Sequence, residues 1–302
     1  MSMRDIYRFV RSGKFLEGIV LLPLTASKIE IRNNIRIFGC GREGSWTAKL
    51  SLDGSLRSGG FHRELYARNL LSSASDITIE IPKVFFADPK HKRWIIEEEI
   101  FHARRDKTLI DKFVATHARS FYGLTSKIKR LGDCAVQGLR VASMPWPAKL
   151  EDRFDKHLPV ALCHGDLTSN NMLERRNGQL VVVDWELAGV RPVGFDLRHV
   201  FRDQPQLREP VLKLLSALGE QSSGCMTATE QMAIALVLDS IILSQRIVEY
   251  KKYFENVFGL RSGEAEKRVN KLIDKDLGLA AELGLDYRSI FVQDYEAQQK
   301  PV

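Results

Sequence analysis

Between residues 28 and 100 the chain alternates apolar and polar positions. "KIEIR", "IRIF" and "SWTAKLSL" read as strands, "FHRELYARNLL" shifts to helical spacing, and "KVFFA" and "RWIIEEE" are extended again. This pattern predicts a small sheet with one helix. From about residue 105 the spacing turns helical, in "DLRHVF", "EPVLKLLSAL", "TATEQMAIALVLDSIILSQRIVEYKKYF" and "GEAEKRVNKLIDKDLGLAAEL". It is interrupted mid-chain by "HGDLTSNNMLERRNGQLVVVDWE", a loop followed by a hairpin. "ASMPWPAKL", Ala142 to Leu150, is the clearest Pro-marked connector.

Composition narrows the picture. The 302 residues are 44% apolar, enough for one large domain or two lobes with a sizeable core. The four cysteines, Cys40, Cys134, Cys163 and Cys225, show neither CxxC nor paired spacing, so no zinc site or disulfide framework is expected and a cytoplasmic setting fits. The N-terminal "MSMRDIYRFVRSGKF" is charged where a secretory segment needs an apolar core. The most apolar helical run, "MAIALVLDSIIL", is short and broken by Asp239, so no membrane span is expected. The net charge of +7 is diffuse and attracts anions such as nucleotides or anionic surfaces. No nucleic-acid motif accompanies it, and no nucleic-acid partner is predicted.

The hairpin carries the candidate chemistry. Asn177-Gly178 is a strong signal for a two-residue type I′ turn, which sets Arg176 opposite Gln179. Counting outward, Asn171 and Asp184 become direct cross-strand neighbours in a non-hydrogen-bonded pair, with Cα atoms about 4.5 Å apart. Asp166, after His164 and Gly165, lies just upstream. Two carboxylates and an amide at one end of a hairpin suit Mg²⁺, a hard cation that takes few protein ligands and leaves room for phosphate oxygens. A metal on the phosphates beside a separate carboxylate that orients a hydroxyl is the chemistry of phosphoryl transfer. Taken one by one, Asp166 can also cap a helix, Asn171 make a turn and Asp184 end a strand.

"LCHGDLTSNNML" followed by "VVVDWELAGVRPVGFDL" resembles the aminoglycoside phosphotransferase and choline kinase families, specifically from about Leu162 to Leu197. The resemblance implies a two-lobed, protein kinase-like α+β fold, with an antiparallel-sheet N-lobe over residues 1–98 and a helical C-lobe over 99–302. It implies ATP and Mg²⁺ as cofactors and a small-molecule hydroxyl as acceptor. Asp166 matches the catalytic carboxylate, His164 the histidine supporting its loop, and Asn171 and Asp184 the metal ligands. Glu186 matches an acidic supporting position and Asp196 the structural aspartate that anchors the catalytic loop. Protein kinases usually carry a lysine where Thr168 stands and Asp-Phe-Gly where this chain has Asp184-Trp185-Glu186, which favours a small-molecule kinase.

Such an N-lobe needs a lysine for the α- and β-phosphates and a helical glutamate to hold it. Lys49 shares the polar face of "SWTAKLSL" with Thr47 and Ser51, and Glu64 is its expected partner, on a helix whose apolar stripe of Phe61, Leu65 and Leu71 faces the other way. Both residues can equally be surface charges. The formal GxGxxG of Gly39, Gly41 and Gly44 invites a phosphate-loop reading, but only four residues separate Gly44 from Lys49, whereas an intervening strand and turn need about a dozen. The glycines are therefore expected to join the second and third strands, and Asn33 and Asn34 in "RNN" become the phosphate-turn candidates. The hinge that reads the adenine edge is expected at Glu97, Glu98, Glu99 and Ile100.

The acceptor stays open among a sugar or glycoconjugate, an aminoglycoside, and choline or ethanolamine. Asp274, Asp276, Glu282, Asp286, Asp294 and Glu296, with Tyr250, Tyr253 and Tyr287, offer carboxylates and aromatics for a cation, and solvated faces or core aromatics explain them as well. The basic balance mildly favours a neutral or anionic acceptor. A non-catalytic nucleotide-binding scaffold is the alternative of another class, and the filled catalytic positions count against it.

Overall fold

The structure is a computed structural model. It describes residues 25–287, except 32–33, 42–43, 52–58, 75, 88–93, 101–105, 139–154, 221–223, 246, 249–250, 252–253 and 256–258. The "ASMPWPAKL" connector, Asn33, Tyr250, Tyr253, Asp294 and Glu296 lie outside the described residues.

The chain divides into two compact units, Met1–Phe61 with Pro82–His102, and His62–Ile81 with Ala103–Val302. In the first, β1 (Thr25–Ile31), β2 (Asn34–Gly41), β3 (Gly44–Ser51), β4 (Val84–Ala87) and β5 (Trp94–Glu98) form one antiparallel sheet in the order β1-β2-β3-β5-β4. Trp46, Ala48 and Leu50 are buried from β3, and Ile95 and Ile96 from β5.

The helix α1 (Gly59–Ser72) and the segment after it run into the second unit. The reason is local. Glu80 N–H donates to Leu180 O at 2.8 Å and Val182 N–H to Glu80 O at 2.9 Å, so this segment pairs with the hairpin, and Ala67, Leu71 and Ile79 join the larger core. Along α1 the buried positions are Phe61, Glu64, Ala67, Arg68 and Leu71. At 3.6 residues per turn, Glu64 shares the face of Phe61 and Leu71, which corrects the expectation that it lies opposite them.

The second unit continues with α2 (Leu109–Lys112), a π-helical turn at Phe113–His117, and α3 (Ala118–Thr125). β6 (Lys127–Arg130), α4 (Leu131–Gly138) and β7 (His157–Cys163) follow, then the hairpin of β8 (Met172–Glu174) and β9 (Leu180–Val182), and β10 (Gly189–Pro192). Three of these strands form an antiparallel sheet in the order β10-β7-β6. α5 (Val193–Asp203) and α6 (Arg208–Gly219) pack against β7, α7 (Ala228–Gln245) packs on both of these helices, and α8 (Ser262–Glu282) packs on α7.

Asp239, which interrupts the apolar run of α7, is buried for a reason. Arg198 Nε lies 2.7 Å from its Oδ1, and Arg202 Nη1 lies 3.3 Å from its Oδ2 and 2.9 Å from Asp276 Oδ2, tying α5, α7 and α8 together. Asp276 is fully buried here and Tyr287 lies in the core. Neither is a solvated acidic face or an open aromatic cage.

Candidate active site

β7 is buried almost throughout and delivers the chain into His164-Gly165-Asp166. Gly165 takes φ +88°, and a Cβ there would collide with the carbonyl oxygen of Leu187, so only glycine fits the bend. Asp196, fully buried at the start of α5, holds this bend from behind. Its Oδ2 accepts the His164 N–H at 2.9 Å and its Oδ1 the Gly165 N–H at 2.7 Å, while the Tyr122 hydroxyl donates to Oδ2 at 2.9 Å. Burial, with Asp196 alongside, pushes the Tyr122 phenol well above its usual range, so it remains a donor.

The His164 ring is equally committed. Nε2 is 2.8 Å from Val183 O, an acceptor only, which places the hydrogen on Nε2 and leaves Nδ1 to accept the Asp166 N–H at 3.3 Å. The ring sits edge-on to Trp185 at 4.8 Å between centroids, and the indole N–H donates to Val182 O at 2.9 Å. His164 therefore couples the catalytic loop to the hairpin end. Asn171 makes a second link: its Nδ2 donates to Asp166 O at 2.8 Å and to Asp166 Oδ2 at 3.1 Å.

The hairpin register differs from expectation by one residue. Met172 pairs with Val182 and Glu174 with Leu180, so Asn171 faces Val183, whose N–H donates to Asn171 O at 2.9 Å. The cause is the turn. A type I′ turn needs φ > 0 at both central residues, but Asn177 is not in that region and only Gly178 is, at +82°. A three-residue loop, Arg176-Asn177-Gly178, results, closed by Arg175 N–H to Gln179 O and Gly178 N–H to Arg175 O, both 2.9 Å. A one-residue slip would send Asp184 to the opposite face of a continuing strand. The strand does not continue: Asp184 has φ 70° and ψ 54°, the sole positive-φ non-glycine among the described residues, and the chain turns there into a short 3₁₀ helix, Trp185–Leu187. Asp184 thus follows directly on the residue bonded to Asn171, in a left-handed conformation of the kind concentrated at functional sites.

The hard oxygens on these adjoining segments are the Asp166 and Asp184 carboxylates and the Asn171 amide oxygen, whose nitrogen is spent on Asp166. Among the described residues no group of three or more His, Cys, Asp or Glu side chains is placed to hold a metal ion. The set fits Mg²⁺, which keeps several waters and takes one or two protein ligands. Glu186, half-buried in the 3₁₀ helix, follows two residues after Asp184.

In the first unit, Lys49 is 2% exposed and its Nζ lies 3.0 Å from Glu97 Oε1. The sequence anticipated Glu64 as its partner; within its own helix Glu64 meets Arg68 one turn on. Glu97, expected in the hinge, is a buried member of β5, and Glu98 is the last residue of that strand. Only Glu99 and Ile100 follow the strand, and Glu99 accepts from the Thr47 hydroxyl. The register gives the reason: Thr47 opposes Glu97, so a side chain two residues along β3 reaches it diagonally. Gly39, Gly41 and Gly44 lie on β2 and β3, with Gly41 opposite Gly44. A Cβ on Gly39 would run into the Trp46 indole, so that glycine serves cross-strand packing. Asn34 opens β2 opposite Ser51. Tyr122, Gly165 and the Lys49–Glu97 pair went unread in the sequence. Only Gly165, next to Asp166, carried a local signal.

Residues 112–230 match the model of the phosphotransferase enzyme family. No curated protein matches the chain. Among solved structures, the choline kinase LicA from Streptococcus pneumoniae is similar over 90% of this chain and 98% of its own, at 19% identity and TM-score 0.57. The aminoglycoside phosphotransferase APH(4)-Ia is similar over 91% and 99%, at 13% identity and TM-score 0.52. The GDP and kanamycin complex of APH(2")-IIIa is similar over 87% and 98%, at 12% identity and TM-score 0.51. The fold is the kinase-like one of these phosphotransferases. The matched segment contains the "HGDLTSNN" and "VVVDWE" runs on which the resemblance rested.

Proposed function

We propose that the protein transfers the γ-phosphate of ATP to a hydroxyl of a small molecule, with Asp166 as the catalytic carboxylate and Asn171 and Asp184 as Mg²⁺ ligands. The observation that carries this reading is the double hydrogen bond from Asn171 Nδ2 to Asp166, which fixes the carboxylate beside the hairpin end that presents Asp184. Mg²⁺, when bound, neutralises the phosphate oxygens. Asp166 orients the acceptor hydroxyl and takes its proton as the oxygen bonds to the γ-phosphorus and the bond to ADP breaks. Asp196, through the His164 and Gly165 N–H groups, holds the loop in its bend, and His164 keeps the loop against Val183. Glu186 supports the metal ligands.

For the nucleotide, Lys49 held by Glu97 supplies the cation for the phosphates, Asn33 and Asn34 supply the turn, and Glu99 and Ile100 the link that reads the base. The solved complexes support nucleotide use, since LicA is described with AMP and APH(2")-IIIa with GDP. No helix among the described residues is long and apolar enough to cross a membrane, which accords with a cytoplasmic small-molecule enzyme.

Purified protein should release ADP in the presence of Mg²⁺ and an acceptor mixture. Asp166→Ala should lower turnover roughly 10²–10⁴-fold while MgADP binding stays within a few-fold. Full turnover in that variant sinks the mechanism.

A further inference from the structure

Phosphoryl transfer leaves one set of charges in the second unit unused. Arg191 stands on β10 opposite Ala161, two residues past Gly189, which pairs with Cys163, the residue before the catalytic loop. At about 3.3 Å per strand residue, Arg191 begins within a nanometre of that loop. Its side chain runs back along Gly189, where a Cβ would lie 3.7 Å from its Nε. The residue is half-buried, yet among the described residues its guanidinium makes no hydrogen bond or ion pair, which is unusual for a group that is almost never withdrawn from water unless paired.

Its surroundings do not supply the missing anion. Asp196 is within electrostatic reach, but both its oxygens are taken by the His164 and Gly165 N–H groups and the Tyr122 hydroxyl. Cys163, also close, is kept a neutral thiol because burial raises it well above its usual range. Two further guanidiniums repel Arg191: Arg198, whose own charge is met by Asp239, and Arg63, exposed on α1 and without an ion pair among the described residues. Burial first, and this repulsion, lower Arg191's hold on its proton. The sheltered Arg191 guanidinium, unmatched among the described residues, offers forked donors suited to a planar or tetrahedral anion, and the positive charge of Arg63 lies within electrostatic reach.

We propose that Arg191 anchors a binding site for a small anionic group, phosphate, sulfate or carboxylate, beside the catalytic loop, with the charge of Arg63 adding to the attraction. The anion is either a charged group carried by the acceptor, an arm that rests on the transfer reading above, or a separate small anion.

The test is calorimetric titration of inorganic sulfate into protein saturated with MgADP, so that the nucleotide's own phosphate sites are filled. Arg191→Gln and Arg63→Gln should each weaken sulfate binding tenfold or more, and Arg191→Lys should restore part of it, with melting temperatures confirming that the variants fold. Unchanged sulfate affinity in both glutamine variants overturns the proposal, including the case in which Arg191→Gln only lowers the melting temperature. Turnover separates the two sources. If the acceptor carries the anion, Arg191→Gln raises the KM of acidic acceptors, glucose 6-phosphate against glucose being the first pair to compare, with kcat changed far less. If the anion is separate, sulfate alters turnover of a neutral acceptor and the glutamine variants remove that response. An effect confined to the KM for ATP overturns both. Absence of Asp166-dependent ADP release with every acceptor counts against the transfer reading alone, because sulfate binding requires no turnover.

Discussion

Asp196 spends both oxygens on the catalytic loop, and nothing softer replaces it. In Asp196→Asn one acceptor becomes an NH₂ facing another donor, which leaves a buried N–H of His164 or Gly165 unsatisfied at a cost of about 1–3 kcal/mol. The loop then samples conformations in which Asp166 is displaced. Turnover should fall roughly tenfold or more while MgADP affinity holds, a split read by comparing kcat with the nucleotide dissociation constant. Gly165→Ala attacks the same bend from the other side, adding roughly 1–3 kcal/mol of left-handed backbone strain to a collision with Leu187 O. Chemical denaturation should show the loss, and a variant as stable as the parent contradicts this reading of the bend. Asp184→Asn keeps the side chain's size and removes its charge. Its turnover should need higher Mg²⁺, and a Mg²⁺ titration that superimposes on the parent's would remove Asp184 from the metal site.

The elements explain which parts of the fold were legible. Alternation found β2, β3 and β5, and the spacing argument put the glycines between β2 and β3 because strand and turn lengths are nearly fixed. Gly39 also shows why a motif misleads: it is small because Trp46 lies across it. Gly39→Ala should therefore lower the melting temperature while MgADP affinity, measured below the transition, stays within a few-fold; a phosphate-cradling glycine would do the reverse. The hairpin was located correctly, but its register slipped because Asn-Gly serves both two- and three-residue loops, and the choice rests on whether Asn177 adopts φ > 0. Asp184's left-handed turn had no local signal. The Lys49–Glu97 pair had no local signal. Glu97 is distant in sequence, and only the β3–β5 register brings it diagonal to Lys49, whereas helical arithmetic alone already places Glu64 on the buried face with Phe61.

At the scale of the molecule, the buried cluster joining α5, α7 and α8 makes stability depend on pH in a way its members predict. Burial raises Asp276 to about 7, against the pull of Arg202 and with Asp239 adding to the rise. Asp239, held by Arg198 and Arg202, stays below its ordinary range. Between the unfolded carboxylate value near 4 and about 7, the native state thus binds the Asp276 proton more often than the unfolded chain does. Asp276 therefore makes stability fall as pH rises across that window. His199, driven well below its usual value by burial and then by Arg198, acts oppositely, since its contribution is lost as pH drops below the unfolded value near 6.5. Asp239 matters only in stronger acid, where its contribution disappears as pH falls through its lowered value. The parent's net slope mixes these effects, but Asp276→Asn removes one and leaves the others. The variant should gain on the parent from pH 5 to about pH 7 and level off by pH 8, as urea midpoints at one-unit intervals would record; parallel curves would mean that Asp276 is ionised throughout. Arg202→Met strands both carboxylates without their shared cation and should cost about 3–5 kcal/mol near neutral pH. That loss should shrink on acidification, because protonating Asp276 removes one of the two charges that Arg202 serves.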